Sequence, residues 1–179
     1  MKPLKGYNDA QASGEFERLA AGGYVIKITG VTDDSQKEYL AVVYDIAEGP
    51  EAGRYKNEPS DNDYRHRFIR SYKEKALGMF KAFIQAIDET NGTKFNDRME
   101  KGFPENELVG KLLGAVFGYE EYEANDGNIK ERLYLKSCMS ADRIRKGDFK
   151  VPELKKLKEA PKAAVPEGFT PLSDEDVPF

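Results

Sequence analysis

The run "YRHRFIRSYKEK", Tyr64 to Lys75, sets Arg65, Arg67, Arg70, Lys73 and Lys75 against a single acid, Glu74, and interleaves Tyr64, Phe68 and Tyr72. Cations of this kind neutralise phosphates while aromatic faces stack on bases, each stack contributing roughly 1–3 kcal/mol in single-strand binders. A solvated edge strand, with Phe68 in the core and the arginines paired to acids, would use the same residues equally well. A second stretch shifts that balance. Alternation from Ile129 places Lys130, Arg132, Tyr134 and Lys136 on one face of a strand, with Ile129, Leu133 and Leu135 on the other. Lys27, Lys37, Tyr39, Tyr55 and Lys56 extend the same cationic and aromatic mixture from earlier strands and their loops. The pattern points to a locally basic groove for single-stranded nucleic acid, with affinity that falls steeply with salt.

Catalytic chemistry finds little footing. No Gly-rich loop ends in Gly-Lys-Ser/Thr, no G-x-G-x-x-G opens a helix, and there is no Gly-x-Ser-x-Gly elbow. The single histidine, His66, stands between Arg65 and Arg67, and neighbouring cations disfavour its protonated form. Acids such as Asp61 and Asp63 sit in a turn-rich stretch, where solvation is their ordinary role and a carboxylate metal site the exceptional one. One cysteine, Cys138, excludes an internal disulfide and leaves no zinc or iron–sulfur set, so it reads as a buried structural thiol in an apolar strand. The expectation is a non-enzymatic chain with no metal and no cofactor.

At 179 residues, 34% charged and 39% apolar, the chain has room for one ordinary domain and some solvated sequence. Its net charge of −4 argues against a polyanionic partner only if charge is spread evenly, so distribution decides. No apolar run reaches membrane-spanning length, and Met1 to Lys5 leads into polar sequence rather than a signal-peptide core, which predicts a soluble, cytoplasmic protein.

The elements that must carry these groups follow from periodicity. Residues 1–20 read as an arm, with a helical turn near Glu15 to Leu19. Tyr24, Ile26 and Ile28 alternate with Val25, Lys27 and Thr29 in a first strand, and Leu40, Val42, Tyr44 and Ile46 share one face of a second. A Gly/Pro/Asn-rich loop follows, with a short strand about Arg54 to Asn57, then a third strand at about Tyr64 to Arg70. Ser71 and Glu74 form a capping box ahead of a helix whose Leu77, Phe80, Phe83, Ile84 and Ile87 repeat at helical spacing until Asn91-Gly92 stops it. Leu108 to Tyr122 reads as a long fourth strand whose glycines at 110, 114 and 118 allow a bulge or sharp bend. "NDGN" turns it into a fifth, Ile129 to Met139, and Ser140 opens a helical turn. Strand, strand, strand, helix, strand, strand is the order of an OB-fold, a five-stranded Greek-key barrel with its helix between strands 3 and 4. That body is expected over 21–151, followed by a flexible linker over 152–172 and an acidic tip over 173–179.

The tip, "SDEDVPF", has the make-up of a docking segment. Asp174, Glu175 and Asp176 can meet a basic rim, Pro178 limits the conformations lost on binding, Val177 and Phe179 are apolar, and the terminal carboxylate can pair with a cation. It resembles the acidic tip of bacterial single-stranded DNA-binding proteins, with Val177 where isoleucine is usual. The body, through "GGYVIKITGV", "YDIAEGPEAG", "SYKEKALGMFKAFIQAIDETN" and "GDFKVPELKKL", resembles a family of phage and prophage proteins of Gram-positive hosts treated as single-stranded DNA-binding, over roughly residues 16 to 157. The resemblance implies an OB-fold, homo-oligomeric assembly, no cofactor, and tails that bring replication, recombination and repair enzymes to coated DNA. The chain departs from ordinary bacterial single-strand binders in having no tryptophan, so base-stacking positions do not carry over, and ten tyrosines are the available substitutes. Two other functions remain: an OB-like adaptor that binds protein rather than DNA, and a carboxylate-metal nuclease.

Overall fold

The computed structural model describes residues 18–56 and 64–157. Five antiparallel strands, β1 (Gly22–Asp34), β2 (Tyr39–Ile46), β3 (Arg67–Ser71), β4 (Leu112–Glu123) and β5 (Ile129–Met139), form one sheet in the order β3-β2-β1-β4-β5. The main helix, α1 (Leu77–Asn91), lies between β3 and β4 in sequence, and a short helix, α2 (Ala141–Arg145), follows β5. The architecture is therefore mainly β with one substantial helix. The sheet is open: among the described residues no ladder joins β3 to β5.

One face of the sheet packs on α1. Ile26 and Ile28 of β1, Leu40, Val42, Tyr44 and Ile46 of β2, Phe68 of β3, and Leu113, Ala115 and Phe117 of β4 meet Phe80, Phe83, Ile84 and Ile87 of the helix. Burial of each large side chain contributes about 1.5–3 kcal/mol. Gly92, at φ 65°, ends α1 in the left-handed conformation that glycine accommodates, and its N–H donates to the Asp88 carbonyl. Asn91 then stands in for a strand: its amide donates to the Leu112 carbonyl at 2.8 Å and accepts from the Leu112 N–H at 3.0 Å. This pins the helix end to the first residue of β4.

Several local features differ from the sequence pattern. The capping box does not form, because the Ser71 hydroxyl donates to the Glu38 carbonyl and accepts from the Lys73 N–H, while α1 begins only at Leu77 after a 3-10 turn, Glu74–Ala76. Leu77, expected on the apolar stripe, is exposed. Residues 64–66 form a helical turn and β3 is only five residues long. Residues 49–56 are successive turns rather than a short strand. The helical turn expected at Glu15 lies mostly outside the described residues.

The glycines of β4 have a different role from the one their spacing suggested. Gly110, at φ 84°, precedes the strand, and the register shift in the β4–β5 ladder leaves Lys136 of β5 as the extra residue. A second shift leaves Thr29 unpaired in β1. Gly114 and Gly118 instead admit the chain's own continuation. A Cβ at Gly114 would stand 2.6 Å from Ile144 and 2.8 Å from the Ser140 carbonyl oxygen, and one at Gly118 would stand 2.9 Å from Pro152. On the neighbouring strand, Phe149 covers Gly23, where a Cβ would meet its ring at 2.6 Å. Residues 140–157 thus form a strap over the face opposite α1, and Val25 and Val116 are buried on that face. Gly114→Ala is expected to lower stability by about 1–3 kcal/mol, because backbone as well as side chain must move. The urea midpoint should fall with an unchanged slope.

Candidate nucleic-acid interface

The β4–β5 hairpin turns at Asp126-Gly127, where Gly127 has φ 76° and its N–H donates to the Ala124 carbonyl. Register pairs Tyr122 with Lys130, Glu120 with Arg132 and Gly118 with Tyr134. Because paired residues project to the same side, Lys130, Arg132 and Tyr134 share the outer face with Tyr122 and Glu120. Arg132 donates to Glu120 Oε1 through Nε at 2.9 Å, with Nη2 at 2.8 Å, and its guanidinium lies 5.2 Å from the Tyr122 ring centre. Lys130 pairs with Asp126 at 2.8 Å. Lys136, in the bulge, is exposed.

The strap adds a cation to this face. β1 accompanies β4 only as far as Phe117, and beyond it the vacant edge is taken by Lys155. The Lys155 N–H donates to the Tyr119 carbonyl at 3.0 Å, and the Glu121 N–H donates to the Lys155 carbonyl at 2.9 Å. Its ammonium donates to Glu120 Oε2 at 2.8 Å and sits 5.7 Å from the Tyr134 ring centre. Residues 152–157, read from sequence as the start of the linker, are therefore tied to β4.

The other predicted contacts are dispersed. Lys27 is exposed on the outer face of β1 opposite Asp45, Tyr39 is half-buried at the start of β2, and Lys56, Arg65, Arg67 and Lys73 are exposed. Tyr55 stacks on buried His66 with ring centres 4.7 Å apart and meets Tyr44 edge-on, so its ring belongs with the core-side aromatics. Tyr72 packs edge-on against Phe80 and donates to Asp33 at 2.8 Å. Its phenol is pushed up to about 12 by desolvation and then by Asp33. Arg70 faces inward: its guanidinium lies 5.2 Å from the Phe68 ring centre and donates to Cys138 Sγ at 3.3 Å. That contact crosses from β3 to β5. It joins the C-terminal ends of two strands that run in the same direction.

Burial pushes the Cys138 thiol up, with Arg70 opposing, which fits a packing role rather than a reactive one. Among the described residues, no group of three or more His, Cys, Asp or Glu side chains is placed to hold a metal ion. No described helix is long and apolar enough to cross a membrane. Asp61, Asp63 and the tip from Asp174 to Phe179 lie outside the described residues. Neither the protein-family models nor the curated proteins include a match to the chain.

Sequence reasoning missed Tyr122, Glu120 and Lys155. The alternation that found Lys130 and Arg132 would also have put Glu120 and Tyr122 together on one face of the partner strand. Lys155 left no such signal, because it is placed by an edge vacancy in β4. Glu120 is held below the usual carboxylate range, first by Lys155 and also by Arg132, against opposing desolvation. Its stabilising contribution is present above its ordinary value and is lost as pH falls through the lowered one. The Lys155 and Glu121 amide resonances should therefore shift together on acidification through that window, and Glu120→Gln should remove the shared inflection.

Proposed function

We propose that the chain is a sequence-tolerant single-stranded DNA-binding protein of phage replication and recombination. Its body is OB-type, it assembles as a homo-oligomer, and its C-terminal tip recruits partner enzymes. The observation that carries this is the outer face of β4–β5, where Lys130, Arg132 and Lys155 accompany Tyr122 and Tyr134. Cations beside tyrosine rings on one sheet face can track a phosphate backbone and stack bases without reading sequence. The strand order, with a helix between β3 and β4, supports the OB-type reading, and the Arg70–Cys138 contact between the two outer strands is compatible with a partly open barrel.

One observation favours an adaptor that binds protein instead. Arg132 and Lys130 already have acidic partners, which is how an ordinary solvated face in an acidic protein looks. Charge reversal of Arg65, Arg67 and Arg132 separates the two: a DNA-binding protein loses single-strand affinity in a gel shift, and an adaptor loses nothing. In salt-titrated fluorescence the chain is expected to prefer oligo-dT over a matched duplex, with log affinity falling linearly with log salt. Equal affinity for the duplex would count against the proposal. Removal of Phe179 is expected to abolish enzyme recruitment in pull-downs while leaving oligo-dT binding largely intact.

A further inference from the structure

Glu120 stands at the centre of the cationic face, yet an acid there opposes phosphate binding. Its side chain is 15% exposed, whereas Arg132 and Lys155, which grip its two oxygens, are 60% and 67% exposed. Each cation thus holds the carboxylate with one side and presents the other to solvent. The guanidinium fork that clasps a carboxylate also fits a phosphate. The Tyr122 ring lies beside Arg132 and the Tyr134 ring beside Lys155, so an aromatic face flanks each cation.

We propose that the strap completes a two-cation phosphate subsite formed by Arg132 and Lys155, in which Glu120 serves as an internal anion that single-stranded DNA displaces. The proposal rests on the DNA-binding function and extends it to a regulated subsite. Lys155 reaches the face because its backbone is hydrogen-bonded to β4 on both sides, so it is positioned before DNA arrives. The trio carries a net charge of one positive unit: two cations and one carboxylate. A phosphate entering must compete with Glu120 for those cations and meets its repulsion, which keeps affinity moderate and lets the strand leave again. Glu120 is in this sense a positioning residue that also lowers affinity.

The direction of effect makes the test specific, since mere structural damage weakens binding. Anisotropy of labelled oligo-dT is measured with the full chain at one moderate salt concentration and then across a salt series. Glu120→Gln is expected to bind about three- to tenfold more tightly, the range for removing one charge a few ångströms away across a partly screened surface. Its salt dependence should also steepen. Lys155→Met is expected to weaken binding several-fold and to reduce the salt slope by about 0.7. Because Lys155 is exposed, this variant remains informative if Glu120→Gln disturbs β4. Unchanged or weaker binding by a folded Glu120→Gln variant, or unchanged binding by Lys155→Met, overturns the subsite while leaving the DNA-binding proposal standing. Failure of the unaltered chain to bind oligo-dT overturns both.

Discussion

The close approach of the strap to the bare Cα atoms of Gly23, Gly114 and Gly118 is the constraint on which the rest of the molecule depends. It lets Ile144, Phe149 and Pro152 lie against the outer face of the sheet, so β4 is buried on both sides from Leu113 to Gly118. Val25 and Val116 are covered there although they point away from α1. Contact at this range leaves no void and no freedom, as expected of close-packed interiors. The same contact fixes where the chain goes next. From Pro152 it can reach the β4 edge that β1 leaves vacant, and Lys155 enters the sheet at that point. Packing on one face therefore decides the electrostatics of its outer end.

Elements governed by local periodicity were legible in the sequence. The alternating burial of β2, the Phe80 to Ile87 stripe of α1, the Gly92 stop and the Asp126-Gly127 hairpin each follow from residues within a few positions of one another. Features that depend on distant chain were not. Three glycines in a strand are compatible with a bulge or with another segment lying on top, and only the tertiary fold distinguishes these. Ser71 and Glu74 satisfied the capping pattern, but the Glu38 carbonyl, 33 positions away in sequence, captured the hydroxyl. "VPELKKL" has the composition of a linker because its order comes from backbone bonds to an open edge, and these leave almost no trace in side-chain type. For the candidate site, the β5 stripe was readable by alternation, while Arg70 was placed on the outside although register puts it inside beside Phe68.

The β3–β5 seam shows what an open sheet leaves to side chains. Arg70 reaches across to Cys138, a soft and weak acceptor, and Arg70 Nε is buried without a hydrogen-bond partner among the described residues. An unsatisfied buried donor carries a penalty of about 1–3 kcal/mol. The guanidinium's contact with the Phe68 ring offsets part of it. A seam closed by side chains can widen more easily than a hydrogen-bonded ladder. β3 is also short, which limits the length of unpaired edge it exposes.

Net charge and local charge separate cleanly in this chain. The whole carries −4, but acids and bases on the β4–β5 face are arranged in pairs rather than mixed at random: Asp126 holds Lys130, while Glu120 holds Arg132 and Lys155. Such exposed pairs contribute little to folding, typically 0–1 kcal/mol each. Stability is therefore a weak reason for placing a carboxylate between two cations at the centre of an aromatic-flanked face. Weakness is an advantage if the pairs exist to be exchanged. A phosphate that replaces a carboxylate meets cations already oriented, and the exchange costs little because little was gained in forming the original pairs. Under the proposed function, the acidic average of the protein and a basic binding face are compatible, since the acids would hold the cations in position until a polyanion took them over.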